Sequence, residues 1–520
     1  MKALFAILLA LAAPAKAAVV TSARPDALSV TVYRNPDRTD GDAMELSWLQ
    51  GFALITETRT IDLPAGPAEI RFEGVAGGIL PVSAIVSGLP GGVVEKNRDA
   101  RLLSPAALID GHLGRRVHLR RTNRATGAVR ESDAIIRSGP DGVVLQTADG
   151  IEALSCSGLP ERIVYDGVPQ GLSAKPTLAV TTDSPAATHA TVTLSYLADD
   201  FDWQANYVAH VARDGRTLDL FAWLTLANGN EESFPNAQTQ AVAGTLNRED
   251  DAASGNAEFS PRLDLACWPM GTTSDGIPVP PPPPPPAAPA YGGMEDIIVT
   301  AQKRQESLMS VPVAMTAQQE ELGDLKLYRI PEPVTVAAHA QKQIALLARE
   351  NVPFDRLYAA FVGVGSIQDP KPASILMRMK NVKEKGLGLP LPSGGIAIFE
   401  QPSSRPMLAG EARIKDTAIG EEIELLAGSS AQVQVAQRQT DGGKADDVFP
   451  RRYAIDISNA NPAPATVEIA FIRSDGSLRL ISPSHSLGTR NGRIIWTAKV
   501  PANGRATLAY TLTRVPDDEN

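Results

Sequence analysis

An all-β protein, built of sandwich-type and small-barrel domains with few short helices, is what the sequence predicts, and three observations predict it. Apolar and polar residues alternate with a period of two over much of the chain. Turn segments such as Pro64-Ala65-Gly66-Pro67 and Pro501-Ala502-Asn503-Gly504 separate alternating runs. Amphipathic helical periods of useful length are scarce, with residues 303–325 and 340–349 the only modest helix candidates.

The alternation places particular side chains. Ile61 and Leu63 face one way in Thr60–Leu63, and Ile70 and Phe72 do the same in Glu69–Glu73. The Pro/Gly segment between these runs predicts a hairpin. Thr507–Thr513 alternates again after the turn at Pro501–Gly504. At 520 residues the chain is too long for one ordinary core, so two or three domains are expected. Residues 1–17 read as a signal peptide and 18–190 as an N-terminal β-rich region. Residues 191–515 read as a sandwich-type domain interrupted by 272–315. Within that interruption Pro280 to Pro286 are unbroken prolines, and the stretch Pro278 to Ala290 cannot enter a sheet interior because proline lacks the N–H donor. An extended polyproline conformation of that length would reach roughly 40 Å at ~3.1 Å per residue.

The first residues carry an export address. Lys2 is followed by the short apolar run Ala3 to Ala13 and by Ala15-Lys16-Ala17, a small-x-small pattern of the kind signal peptidase reads. The run is shorter than the ~20 apolar residues needed to span a bilayer. The mature chain is therefore expected to begin near Ala18, in the periplasm or cell envelope of a Gram-negative-type bacterium, and no later segment reads as a transmembrane helix. Lys and Arg number 49 against 59 Asp and Glu, for a net charge of −10, which argues against nucleic acid as a partner. Export places Cys156 and Cys267 in an oxidising compartment. Two readings stand for them: a disulfide closing a loop of about 110 residues, worth roughly 4–5 kcal/mol by loop entropy, or two buried thiols.

A weak internal echo crosses the proline stretch. The run Leu218 to Asn228 and the run Tyr453 to Asn459 both leave a strand pattern on Asn, a residue that commonly serves turns.

At these residues the chain resembles a known family. Phe201-Asp202-Trp203-Gln204-Ala205-Asn206-Tyr207 and the strand 217–228 resemble the bacterial family catalogued as domain of unknown function forty-one thirty-nine. Leu327 to Val334, Leu389 to Gly395, the Tyr453 strand and Pro501 to Leu512 resemble it too, so that the likeness covers about 190–515. Gly51 to Val86 resembles the N-terminal β region such proteins carry. The family implies a β fold and no established activity. A second, shorter likeness runs from Glu295 to Leu308 and from Val311 to Ala314, which resembles the start of a TonB-dependent outer-membrane receptor. In those receptors a short β-forming box precedes a plug domain. No plug follows here, and the remaining chain is too short for a receptor barrel. What this likeness implies is a partner-binding strand, Asp296, Ile297, Ile298, Val299, Thr300 and Ala301, offered to a TonB-type protein.

The chain holds no H-E-x-x-H, no Cys-x-x-Cys, no P-loop, no G-x-S-x-G and no EF-hand loop, and nothing in it implies a cofactor. Gly363 and Gly365 precede Ser366, but no third glycine completes a dinucleotide fingerprint. His112 and His118 stand six apart, fit no common zinc spacing and read as surface histidines. Asp199, Asp200 and Asp202 form an acidic knot that reads as a solvated turn before a calcium site. Trp203 and Tyr207 share a strand face and read as core anchors before a sugar-stacking platform. Arg115, Arg116, Arg120, Arg121, Arg124 and Arg130 crowd a hairpin with its turn near Thr126-Gly127. They read either as contacts for an anionic polymer or headgroup, or as a solvated face paired with nearby acids. The function expected from all this is a non-enzymatic interaction or scaffolding role in the envelope. The alternatives are an envelope-glycan hydrolase or transferase, which would need a carboxylate pair in a deep cleft, and a TonB-interacting accessory protein.

Overall fold

A computed structural model describes residues 17–515 apart from 40, 100–102, 104, 123–125, 139–142, 154–160, 170–171, 245, 247–315, 324, 402–404, 442–448 and 473–477. The expected all-β architecture is present, and among the described residues the single α-helix is Pro105–Gly111. Among the described residues no helix is long and apolar enough to cross a membrane.

The largest sheet has twelve strands, eight of which follow one path. That path runs Gln318–Leu322, Leu325–Arg329, Phe234–Ala243, Ala27–Tyr33, Gly51–Leu63, Thr188–Val211, Thr217–Asn228 and Ala340–Pro353. Its two ends meet, because Thr316 bridges Ala345 and the Ala317 N–H donates to the Ala345 carbonyl at 3.0 Å. The sheet thus curls round and, among the described residues, one bridge closes it. Side chains alternate as the period-two pattern requires: along Gly51–Leu63, Ile55, Ile61 and Leu63 are buried.

Thr188–Val211 is the axis of this sheet. Its first half pairs with Gly51–Leu63 on one edge and Ile85–Ser87 on the other. Its second half pairs with Thr217–Asn228 and, in parallel, with Gly394–Glu400. The exchange of neighbours happens at a bulge between Asp199 and Phe201, where Asp200 takes φ +64. The 190/191 division read from the sequence falls inside this one strand, and strands from both sides of it lie in one sheet.

A four-stranded sheet of Ala18–Ser22, Gly66–Glu73, Thr177–Ser184 and Glu95–Asp99 packs on the first half of the axis. Ile70, Phe72, Leu178 and Val180 join Ile55, Ile61 and Leu194 in one core. The predicted hairpin at 60–73 is corrected here. Its four apolar side chains are buried, but Gly51–Leu63 and Gly66–Glu73 belong to different sheets, so the Pro/Gly turn is an arch over the core. Between the layers Glu57 and Arg59 are fully buried and fully satisfied. The Arg59 guanidinium donates to Glu57, to the Ser22 carbonyl and to the Glu73 carbonyl, and the Tyr196 hydroxyl donates to Glu57 at 2.7 Å.

Two further units complete the chain. Residues 105–165 form a module with its own small core of Ile109, Val117, Leu119, Ala134, Ile136, Val143 and Leu145. Its five strands, Arg116–Thr122, Val129–Ile136, Val144–Thr147, Gly150–Ala153 and Glu161–Val164, pair only with each other. The C-terminal part is a nine-stranded sheet from Asp355–Gly363 to Gly504–Arg514, folded over a second core that holds Val433, Tyr453, Ile455, Val467, Trp496 and Leu508. Long strands join the two large cores. In Glu422–Gln439, Ile423 and Leu425 serve the first core and Val433 and Val435 the second.

The helix candidate 340–349 is also corrected: it lies in the strand Ala340–Pro353. Ala, Gln, Lys, Leu, Arg and Glu are good helix formers, but Ile344, Ala345, Leu346 and Leu347 are all buried at the closing seam, and tertiary burial overrides a weak local preference. Of the candidate 303–325, Gln318–Leu322 is a strand and residues 303–315 lie outside the described residues.

Candidate functional site

The arginine hairpin forms as expected from Arg116–Thr122 and Val129–Ile136. Its charges are largely matched. Arg120 meets Glu131 at 3.1 Å, Arg116 meets Asp133 at 3.6 Å, Arg121 pairs with Glu152, and the His118 ring sits between Asp133 and Asp166 at 3.0 Å each. Arg115 precedes the first strand, and Arg124 lies outside the described residues, as do Cys156, Cys267, the proline stretch and the box Asp296 to Ala301.

His112 is corrected from surface to interior. It is buried against Tyr165, with ring centroids 4.7 Å apart, and its Nδ1 meets the Leu108 carbonyl at 2.8 Å. Trp203 and Tyr207 are core anchors as read: the indole N–H donates to the Val242 carbonyl at 2.9 Å and the Tyr207 hydroxyl to the Pro392 carbonyl at 2.7 Å. The acidic knot is not a solvated turn. It is the bulge of the axis strand, and Asp202 is buried in a salt bridge to Arg38 at 2.8 Å. Burial pushes this carboxyl above its ordinary range and the guanidinium below its own, while each partner pulls the other back.

That salt bridge fastens a long loop, residues 34–50, whose ends meet where Tyr33 pairs with Phe52. Arg38 also donates to the Trp203 carbonyl, and the Asn35 N–H donates to Asp202 at 3.1 Å. Arg34 reaches Ser393 and Asp416, next to the parallel strand Gly394–Glu400. Further along, the Met44 N–H donates to the Gln204 side chain at 2.9 Å, and Met44 and Leu49 pack on Ala227. With those two side chains turned inward, Leu46 and Trp48 point out, at 55% and 68% exposure. A structureless loop of this length, so heavily tied, is built to present something.

Leu46 and Trp48 form one wall of a cleft of about 480 Å³, completed by Ser47, Leu49, Asp200, Ala227, Asn228, Gly229, His339, Ala340 and Gln341. Asn228 sets its floor. Its amide donates to the Glu232 and Ala337 carbonyls and its oxygen accepts the Asn230 N–H. Asn230 in turn accepts the His339 N–H at its carbonyl and donates its amide to the Asp199 carbonyl. The Gly229 N–H donates to the Asp200 carbonyl at 2.8 Å, and a Cβ at Gly229 would crowd Asp200 and Leu49 at 3.3–3.4 Å. This lattice holds two non-glycine residues, Asp200 and His339, in the left-handed region at φ +64 and +45. The Asp200 carboxyl is half-buried and accepts no hydrogen bond among the described residues. Burial, with repulsion from Asp199, holds it above the ordinary carboxylate range. Sequence reasoning missed Leu46 and Trp48. The available signal was an apolar-x-aromatic step inside a segment rich in Asp, Asn and Gly.

A second cleft, of about 550 Å³, lies at the closing seam, between Thr316, Ala317 and Gln319 on one side and Leu346 to Arg349 on the other. Its inner end is closed by Tyr207, Tyr328 and the segment Leu389 to Pro392. Both phenols are committed, Tyr207 to Pro392 and Tyr328 to the Pro390 carbonyl at 3.3 Å. Residues from three stretches far apart in the chain, Tyr207, Tyr328 and Leu389 to Pro392, meet here. The lining residues of this cleft include no carboxyl, and those of the Trp48 cleft include one, Asp200. Among known protein families no family model matches the chain, and no curated protein matches it.

Proposed function

We propose that this chain is an exported cell-envelope protein that acts by binding, and that the Trp48 cleft is its contact site. The observation that carries this reading is the anchored loop 34–50, in which a buried salt bridge and two inward apolar side chains hold Leu46 and Trp48 in solvent beside the half-buried Asp200 carboxyl. The first strand, Ala18–Ser22, starts at the residue where the expected cleavage would begin the mature chain, which supports export. The likeness of 190–515 to the family of unknown function is part of the same proposal. Purified protein should sediment with isolated envelope fragments, and the Trp48→Ala variant should stay in the supernatant. Equal sedimentation of the two would overturn the assignment of the site.

A further inference from the structure

We propose that the Trp48 cleft binds a neutral saccharide. The inference rests on the binding role proposed above and names the class of ligand. Three chemistries could use an exposed indole: a cation over its face, an apolar or anionic group beside it, or the C–H face of a sugar ring. The other residues of the cleft decide between them.

No lysine or arginine stands among the lining residues, and Asp200 with Asp199 behind it makes the floor negative, so an anion is repelled. A cation would suit Asp200 and Trp48. It would leave the Gln341 amide and the His339 ring unmet, and neither holds a hydrogen bond among the described residues. A wholly apolar ligand would cover the half-buried Asp200 carboxyl without giving it a partner, at a cost. A saccharide hydroxyl both donates and accepts. A run of hydroxyls can therefore donate to the Asp200 carboxylate while accepting from Gln341 and exchanging with either ring nitrogen of His339. The apolar face of the same ring covers the indole.

The geometry is ready before a ligand arrives. Asp200 and His339 are held at left-handed backbone positions by the Asn228–Asn230 lattice, and the loop that carries Trp48 is anchored by the packing of Met44 and Leu49 on Ala227. Binding therefore orders few groups, which favours affinity. Asp200, His339 and Gln341 thus form a polar template beside the indole for a ligand the chain does not itself contain.

The test is isothermal titration of the whole protein with four probes: cellotetraose, chitotetraose, trilysine and inorganic phosphate. At least one of the two tetrasaccharides should bind at concentrations up to about 10 mM, the range expected when a few hydrogen bonds and one stacked ring supply the affinity. Trp48→Ala should weaken that binding roughly tenfold or more and Trp48→Phe by less, because the aromatic plate survives. Both variants should keep the wild-type melting temperature, since Trp48 is mostly exposed. Asp200→Asn should weaken it as well, by loss of a charged acceptor. Binding by trilysine or phosphate in place of the saccharides overturns the proposal, as does saccharide binding that is indifferent to Trp48. Loss of envelope sedimentation by Trp48→Ala without saccharide binding by the wild type would reject the ligand class and leave the contact site standing.

Discussion

Asn228 and Asn459 do the same work in different cores. Each donates its amide to the carbonyl four residues on, Glu232 and Ala463, and each accepts the N–H two residues on, from Asn230 and Asn461. Each also ties down a distant strand, through Ala337 in one case and through Val500 and Pro501 in the other. The echo visible in the sequence is therefore turn chemistry of a buried and specific kind. At the first copy the turn opens on a cleft, and there Asp200 carries the strain. A carboxyl whose folded pKa is raised costs stability once it ionises. That cost is absent below its ordinary value of 3.8 and complete above the raised one. Asp200→Asn, which keeps a side chain tolerant of the left-handed region, should therefore raise the melting temperature at pH 7 and leave it unchanged near pH 3. Thermal denaturation at the two pH values reads this directly, and a gain that persists at pH 3 would contradict the electrostatic account. The acids of the knot were legible in the sequence. Their roles were not, because the bulge between Asp199 and Phe201 breaks the period of two, so that Asp202 enters a salt bridge while Asp200 lines the cleft.

At the scale of the element, period two was a reliable guide to which side chains are buried and a poor guide to which strands pair. Ile61, Leu63, Ile70 and Phe72 are all interior, yet the strands that carry them lie in separate sheets. A short turn between two alternating runs is compatible with a hairpin or with an arch, and only the third partner decides. For Gly66–Glu73 that partner is Thr177–Ser184, a hundred residues away in the chain and invisible to local pattern. The strand Ala340–Pro353 failed for the opposite reason. Its composition favours helix, and it is held extended by Thr217–Asn228 on one edge and, among the described residues, by one bridge to Thr316 on the other. That bridge makes the seam a weak line in the barrel-like wall. Ala317→Pro removes the N–H that reaches the Ala345 carbonyl and should cost about 1 kcal/mol, the net value of one backbone hydrogen bond. Hydrogen exchange of the amides along Ala340–Pro353 should quicken in that variant, and those of Gly51–Leu63 should not. Equal exchange along Ala340–Pro353 in both proteins would mean that packing alone closes the seam.

For the molecule as a whole, the chain divides by where strands find partners, and composition marks those divisions badly. The proline stretch, an interruption within one domain in the sequence reading, is flanked by strands that pair with each other, Phe234–Ala243 before it and Leu325–Arg329 after it. The division at 190 looks like a boundary, yet Thr188–Val211 runs through it. The real insertion, residues 104–172, carries no compositional mark. It is recognised because its strands pair only among themselves, its core is its own, and its ends meet, with the Leu103 N–H donating to the Ser173 carbonyl at 2.8 Å. Two deletions should therefore behave oppositely. Joining Leu103 to Ser173 through a short Gly/Ser linker removes one small core and leaves every strand of the large sheets with its neighbours. That variant should fold, keep the Trp48 cleft, and lose from the calorimetric trace only the transition of the module. A chain restricted to 191–515 keeps most of the residues but strips Gly51–Leu63 and Ala27–Tyr33 from the middle of the twelve-stranded sheet. It exposes Leu194, Tyr196 and the edge of Phe234–Ala243, and should be recovered aggregated or unfolded. A soluble, cooperatively melting 191–515 fragment would show instead that the axis strand is stable without its N-terminal neighbours, and the first core would then have to be divided at the bulge of Asp200.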